Sequence, residues 1–193
     1  MAELMVDFIT SLEGYGAAEG WGAFWGLQGP EYLAWLEENA KDERITLMGA
    51  NTYRLMHKFA AAGPESEDSL GAIPKVVFSS TLDEPLEWAN SRLIRGDAIE
   101  AVRALKDESD TPLTTLGSLS LSRSLLAAGL VDRFRVVVFP VVTGVTGRQR
   151  IYDGWPDVAL DLIESRTFDG RIQLLDYRPR LLDGPIGSGS TEA

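Results

Sequence analysis

Short apolar runs without clean polar alternation, each followed by a stretch of helical spacing, constrain this chain more than any other feature. "LMVDFIT", "RITLMG", "KVVFSS", "SRLIRG", "PLTTLG" and "RFRVVVFPVV" recur from residue 4 to about residue 140. Strands of that composition need cover on both faces, the environment of a parallel sheet between helices. Between them lie "PEYLAWLEENAK", "ANTYRLMHKFAAAG", "DAIEAVRALKDE" and "SLSLSRSLLAAG". Pro30 suits a first helical turn, Gly63 a helix end, and Asp97 with Glu100 has the form of a capping box. The last apolar stretch, "VALDLIESRTFDGRIQLLDYRP", reads as two strands meeting at Asp169-Gly170, a strong hairpin signal. The predicted fold class is therefore α/β: a three-layer sandwich, mostly parallel, with an antiparallel C-terminal hairpin.

Two stretches break the rhythm. Residues 14–30 are glycine-rich and are expected to form a long loop, and Pro64–Gly71 is expected to be a polar surface loop. A length of 193 residues fits a single domain over 1–182, with a flexible tail over 183–193.

Composition removes several classes of function. The chain has no cysteine, so disulfide scaffolds, thiolate nucleophiles and iron–sulfur sites are excluded. Its one histidine, His57, lies mid-helix beside Lys58, and no metal site is expected. The formal net charge is −11 and the 18 Lys and Arg residues are scattered, so nucleic acid is not an expected partner. No run approaches 18 apolar residues and the N-terminus lacks a signal-peptide pattern. A cytoplasmic protein with no membrane partner is expected.

Ligands of open α/β sheets sit beyond the carboxyl ends of the strands. Three such ends carry polar, small residues: "LMGANTY", "VVFSSTL" and "TTLGSLSL". The first and third put a glycine at a helix start, where free N–H groups and the helix dipole favour an anion. Neither matches the dinucleotide fingerprint G-x-G-x-x-G or the P-loop. Glycine at such a corner and serine at an N-cap also serve any α/β domain structurally.

The segments "FITSLEGYG", "LMGANTY", "IPKVVFSSTL", "GSLSLSRSLLAAGLVDRFRVVVFPVVTG" and "GRQRIY" follow one another with a familiar order and spacing. The chain resembles the C-terminal reductase domain of bacterial riboflavin biosynthesis proteins, a family with the dihydrofolate reductase fold. That resemblance implies about eight strands, NADPH as cofactor (with NADH as the other candidate), a small heterocyclic substrate and a homodimer. It places Gly49, Asn51 and Thr52 at one phosphate-binding helix start. Ser79, Ser80 and Thr81 fall near the adenosine ribose, and Gly117, Ser118, Leu119 and Ser120 under the pyrophosphate. The implied activity is reduction of the ribosylamino side chain of a pyrimidine. Ala50 and Ser80 stand where the family often has Arg, and Arg54, Arg92, Arg95 or Arg123 are the available substitutes.

A nicotinamide reductase needs alignment of the acceptor and a proton source. Glu31, opening the first helix, and Glu13, in the first turn, are the candidate catalytic acids. Ser11, Trp21, Trp25 and Tyr32 are the candidate substrate contacts, the aromatic rings being suited to stack on a heterocycle or to fill a core. Two other functions fit the same residues. One is a pterin or folate reductase, which a buried carboxylate at Glu31 would mark. The other is a non-catalytic nucleotide- or flavin-binding dimer.

Overall fold

The computed structural model describes residues 1–62 and 70–184. The loop expected from Pro64 to Gly71 lies mostly outside those residues, as does most of the expected tail. Ten strands and four helices follow in order: β1 (Leu4–Ser11), β2 (Tyr15–Ala18), α1 (Pro30–Asn39), β3 (Ile45–Gly49), α2 (Ala50–Ala62), β4 (Lys75–Phe78) and β5 (Ser91–Ile94). After them come α3 (Ala98–Glu108), β6 (Leu113–Thr115), α4 (Leu119–Ala127), β7 (Arg133–Phe139), β8 (Gly147–Arg150), β9 (Val158–Phe168) and β10 (Ile172–Leu181).

Eight strands form one sheet in the order β5-β4-β3-β6-β1-β7-β10-β9. All neighbours from β5 to β7 are parallel, and β10 and β9 close the edge antiparallel. Successive residues of a strand face opposite ways, and the core divides accordingly. Leu47, Val76 and Val136 pack with Val102 and Leu105 of α3 and Leu121 and Leu125 of α4. Their chain neighbours Met48 and Val77 pack under Tyr53 of α2, and Val137 under Tyr32 of α1. Two helices therefore cover each face, and the three-layer sandwich is the observed architecture. Asp97 caps α3 as its sequence suggests, accepting from the N–H groups of Ile99 (2.7 Å) and Glu100 (3.2 Å).

One expectation needs correction. The glycine-rich stretch after β1 is not loop throughout, because Tyr15–Ala18 pairs with Gly147–Arg150 as a separate two-stranded ribbon. Neither "YGAA" nor "GRQR" contains a Val, Ile, Leu or Phe, so neither carries the burial signal by which strands are read. Their pairing depends on backbone bonds and on the Arg150 guanidinium lying 5.6 Å from the Tyr15 ring centre. Residues 23–26 add a single 3-10 turn before α1.

Candidate functional site

The carboxyl ends of β3 and β6 lie side by side, and each runs directly into a helix. The second corner is the tighter. Gly117 and Ser118 both adopt left-handed backbone, with φ of +53° and +55°. At Gly117 a Cβ would lie 3.3 Å from the Thr52 hydroxyl oxygen, so a bare backbone is what lets the corner approach α2. The Ser118 hydroxyl accepts from the Gly49 N–H at 2.8 Å and donates to Thr52 Oγ1 at 2.8 Å. Gly49, Thr52, Gly117 and Ser118 are thus brought together into one knot. Because the Ser118 side chain is spent on that knot, it makes no cap bond to α4. The first N–H groups of α4, at Leu119 and Ser120, carry no side-chain cap, the condition under which a helix start attracts an anion.

Asn51 and the loop after β4 border the same end. Ser79 Oγ accepts from the N–H groups of Thr81 (3.0 Å) and Leu82 (3.1 Å), folding the loop back over the strand. Arg54 spans the gap, with one guanidinium nitrogen 3.3 Å from Thr81 Oγ1 and another 3.5 Å from Asn51 Oδ1. Of the four candidate arginines, Arg54 joins the α2 start to this loop. Ser80 is exposed beside it.

The sheet itself opens next to the knot. β1 pairs with β6 over only two positions, Leu4↔Leu113 and Met5↔Thr114, but with β7 over seven, as far as Ser11↔Phe139. From Val6 onward β1 has no ladder partner on its β6 side. The edges of this split are where the strand order changes direction, the usual ligand crevice of open α/β sheets.

The first-turn residues are structural neighbours of that split. Ser11 is fully buried and its hydroxyl accepts from the Tyr15 N–H at 3.1 Å. Glu13 Oε1 accepts from the Thr143 N–H (2.6 Å), the Thr143 hydroxyl (3.0 Å) and the Gly144 N–H (2.7 Å). Desolvation pushes its pKa up, but the Gly144 and Thr143 donors together outweigh that and hold it below the ordinary glutamate value. Such a carboxylate staples the loop after β7 and is poorly suited to give up a proton at neutral pH.

Glu31 is exposed and engaged elsewhere. Its Oε2 accepts from the Asp169 N–H at 2.6 Å, while the Asp169 carboxylate accepts from the N–H groups of Glu31 (3.1 Å) and Tyr32 (3.2 Å). The hairpin tip of β9–β10 thereby caps α1 reciprocally, across 138 residues of chain. Sequence reasoning saw Asp169 only as a turn residue, and nothing in the local sequence marks it as the cap of a distant helix. The buried carboxylate that would mark a pterin site is not found at Glu31.

Trp21 is half exposed, whereas Trp25 and Tyr32 are interior. They pack with Phe24, Trp35, Phe139 and Phe168, the Tyr32 ring meeting Phe139 edge-on at 5.2 Å. Among the described residues the Tyr32 hydroxyl and the Trp25 indole N–H have no hydrogen-bond partner. Burial, with the Asp7 carboxylate adding to it, raises the Tyr32 pKa well above the ordinary tyrosine value.

This combination of sheet order, knot and split can be set beside known proteins. The model of the RibD C-terminal domain family matches residues 2–174. The chain belongs to the RibD C-terminal domain family. Its fold is that of a protein of Shewanella sp. PV-4 assigned to riboflavin biosynthesis (TM-score 0.72, 21% identity, 93% of this chain and 99% of that one). It is also that of part of the diaminohydroxyphosphoribosylaminopyrimidine deaminase/5-amino-6-(5-phosphoribosylamino)uracil reductase of Thermotoga maritima (TM-score 0.62, 15% identity, 93% of this chain). The chain spans 57% of that bifunctional protein. In Bacillus subtilis the uncharacterized protein YyaP is 24% identical over 180 residues, covering 90% of this chain and 93% of YyaP. Membership makes this a reductase-type RibD C-terminal domain of dihydrofolate reductase-like fold. No helix among the described residues is long and apolar enough to cross a membrane.

Proposed function

We propose that this RibD-family domain is an NADPH-dependent reductase of a small heterocycle, with 5-amino-6-(5-phosphoribosylamino)uracil as the reference substrate. The observation that carries the reading is the knot of Gly49, Thr52, Gly117 and Ser118 beside the uncapped start of α4. These residues fit a pyrophosphate: the bare Gly117 backbone lets the corner close against Thr52, and the donors are backbone N–H groups that need no basic patch in a chain of net charge −11. Gly49, Thr52 and Ser118 would hold the corner in shape, with Leu119 and Ser120 supplying donors to the phosphates. Asn51, Ser79, Ser80 and Thr81 would line the ribose, and Arg54 would meet its 2′-phosphate in place of the family's arginines. The nicotinamide supplies hydride, and the opening between β1 and β6 is the space for its ring. Ser11, Glu13 and Glu31 keep the first turn and the α1 start in position around that opening. Water at the crevice mouth is the proton source in this reading, since the Glu13 carboxylate is tied down by its donors.

A homodimer belongs to the same reading. Among the described residues β9 ends the sheet with an unpaired edge that exposes Leu160, Leu162 and Ile163.

The test is a calorimetric titration of the protein with NADPH and with NADH, repeated on Arg54→Ala. Saturable NADPH binding that falls at least about tenfold in the variant, with NADH binding unchanged, supports the site; one charge-assisted contact of about 1.5–3 kcal/mol predicts that loss. No binding of either nucleotide refutes the reading. The second reading, a nucleotide-binding module without turnover, is favoured by the burial of Trp25 and Tyr32 where substrate contacts were expected. Oxidation of bound NADPH by the reference substrate separates the two.

A further inference from the structure

Residues 20–29 cross the carboxyl end of the sheet and turn Phe24 and Trp25 inward. Both side chains pack on Phe139, Phe24 stacked at 5.9 Å and Trp25 tilted at 5.7 Å, and Phe24 also meets the Tyr32 ring at 5.6 Å. Phe139 is the last residue of β7 and pairs with Ser11, the last of β1. The two rings therefore lie at the carboxyl end of β7, with β1 between them and the opening that faces β6.

Three features set this insertion apart from ordinary core packing. Phe24 and Trp25 both sit in left-handed backbone, with φ of +54° and +51°, a conformation that costs a side-chain-bearing residue energy at each position. Among the described residues the Trp25 indole N–H is buried without an acceptor, so burial of the ring is opposed by its own polar atom. The attachments are sparse. Inside the segment the bonds are local, Trp25 N–H to Gly22 O (3.2 Å) and Leu27 N–H to Phe24 O (2.9 Å). Its ends are fixed by Glu19 N–H to Thr146 O (2.8 Å) and by Arg171 to Leu27 O (3.0 Å). Gly20 and Gly26, at φ of +79° and +66° with open space around them, flank the pair as pivots.

We propose that Phe24 and Trp25 are an exchangeable plug: they occupy a ring-binding space against Phe139 and Tyr32, and a planar heterocycle displaces them from it. The inference rests on the reading of the carboxyl edge as the ligand-binding edge. What remains when the plug leaves is an aromatic wall of Phe139, Tyr32 and Phe168, which selects a flat, neutral ring by stacking. Departure of the plug relieves both left-handed residues and gives the Trp25 indole water to bond with. That relief lowers the cost of opening.

The test uses the full-length protein labelled with 5-fluorotryptophan and followed by fluorine NMR, the Trp25 signal being assigned by its loss in Trp25→Phe. The probes are 5,6-diaminouracil and, separately, NADPH, with binding of each measured by calorimetry. The proposal expects Trp25 alone to gain the H2O/D2O isotope shift of an exposed indole on saturation with 5,6-diaminouracil, while buried Trp88 keeps its signal. It also expects Trp25→Gly to bind that probe at least tenfold more tightly, because no plug competes. Probe binding by the variant and not by the native protein is the same result in stronger form. A bound probe with Trp25 still buried overturns the plug, as does failure of both proteins to bind the probe while NADPH binds. Loss of NADPH binding as well removes the ligand-edge reading itself.

Discussion

The cap that holds α1 can be dissected at Asp169, where one residue has two separable jobs. Its carboxylate accepts from the Glu31 and Tyr32 N–H groups, and its own backbone is left-handed at φ +51°. Asp169→Asn keeps a capping oxygen and a side chain that tolerates this conformation, so its stability should stay within about 0.5 kcal/mol of the native protein. Asp169→Gly loses the cap, worth about 1 kcal/mol, and recovers part of that from the ease of glycine at positive φ. Asp169→Ala loses the cap and adds the left-handed penalty of about 1 kcal/mol, for a total near about 2 kcal/mol. Urea unfolding should therefore rank the variants Asn, Gly, Ala in falling midpoint with an unchanged m-value. An alanine variant within about 0.5 kcal/mol of the native protein, or one no worse than glycine, would refute the assignment of Asp169 as the α1 cap. Glu31→Ala is the companion, since it removes only the acceptor for the Asp169 N–H and should cost less than Asp169→Ala.

Glu13→Gln tests the staple on the loop after β7. A carboxylate whose folded pKa is depressed adds stability above its unfolded pKa and loses it as pH falls through the folded value. The stability gap between native and Gln proteins should thus be full above the unfolded glutamate pKa of about 4.3 and close as pH falls below it through the lowered folded value; a gap independent of pH would contradict the bonds drawn to Thr143 and Gly144. At the knot, Ser118→Ala keeps the left-handed backbone but strands the Gly49 N–H, and should lose about 1–3 kcal/mol. Ser118→Gly also loses the hydroxyl but relaxes the backbone, so it should unfold at higher urea than the alanine variant. Leu162→Lys on the exposed β9 edge should lower the mass measured by light scattering if a dimer uses that edge, and should leave the unfolding midpoint of a monomer unchanged.

Much of this fold is legible in the sequence because its strands are buried on both faces, and burial leaves a compositional trace. "KVVF", "RFRVVVF" and the Asp169-Gly170 hairpin all appear where the apolar pattern puts them. The ribbon of β2 and β8 left no such trace, being solvent-facing and paired across some 130 residues. The β6–α4 corner was legible because a strand running directly into a helix forces small residues at the join. What Ser118 does there was not: its hydroxyl turns away from α4 to bridge Gly49 and Thr52, a choice made by the neighbouring strand. Glu31 shows the same limit. A glutamate in a first helical turn looks alike whether it faces a ligand or a hairpin tip, and only tertiary contact tells them apart. Trp25 and Tyr32 were legible as an aromatic group, but not the left-handed corner that drives one of them inward.

The carboxyl edge is consequently divided into two parts with opposite states of readiness. At the knot, the groups proposed to hold a nucleotide are already in place, and Phe24 and Trp25 pack instead with Phe139 and Tyr32. Beside Phe139, the space suited to a ring is filled by the chain's own side chains. Occupying the first part asks for no rearrangement, whereas occupying the second must displace packed aromatic surface. The two affinities should therefore respond independently to substitution: Trp25→Gly should strengthen binding of a planar pyrimidine and leave NADPH affinity within about twofold, since contacts with no shared partner are near additive. Calorimetry on that single variant with both ligands decides the matter. A comparable gain for NADPH would mean that the nicotinamide itself competes with the plug, and that the opening between β1 and β6 and the space beside Phe139 are one site rather than two.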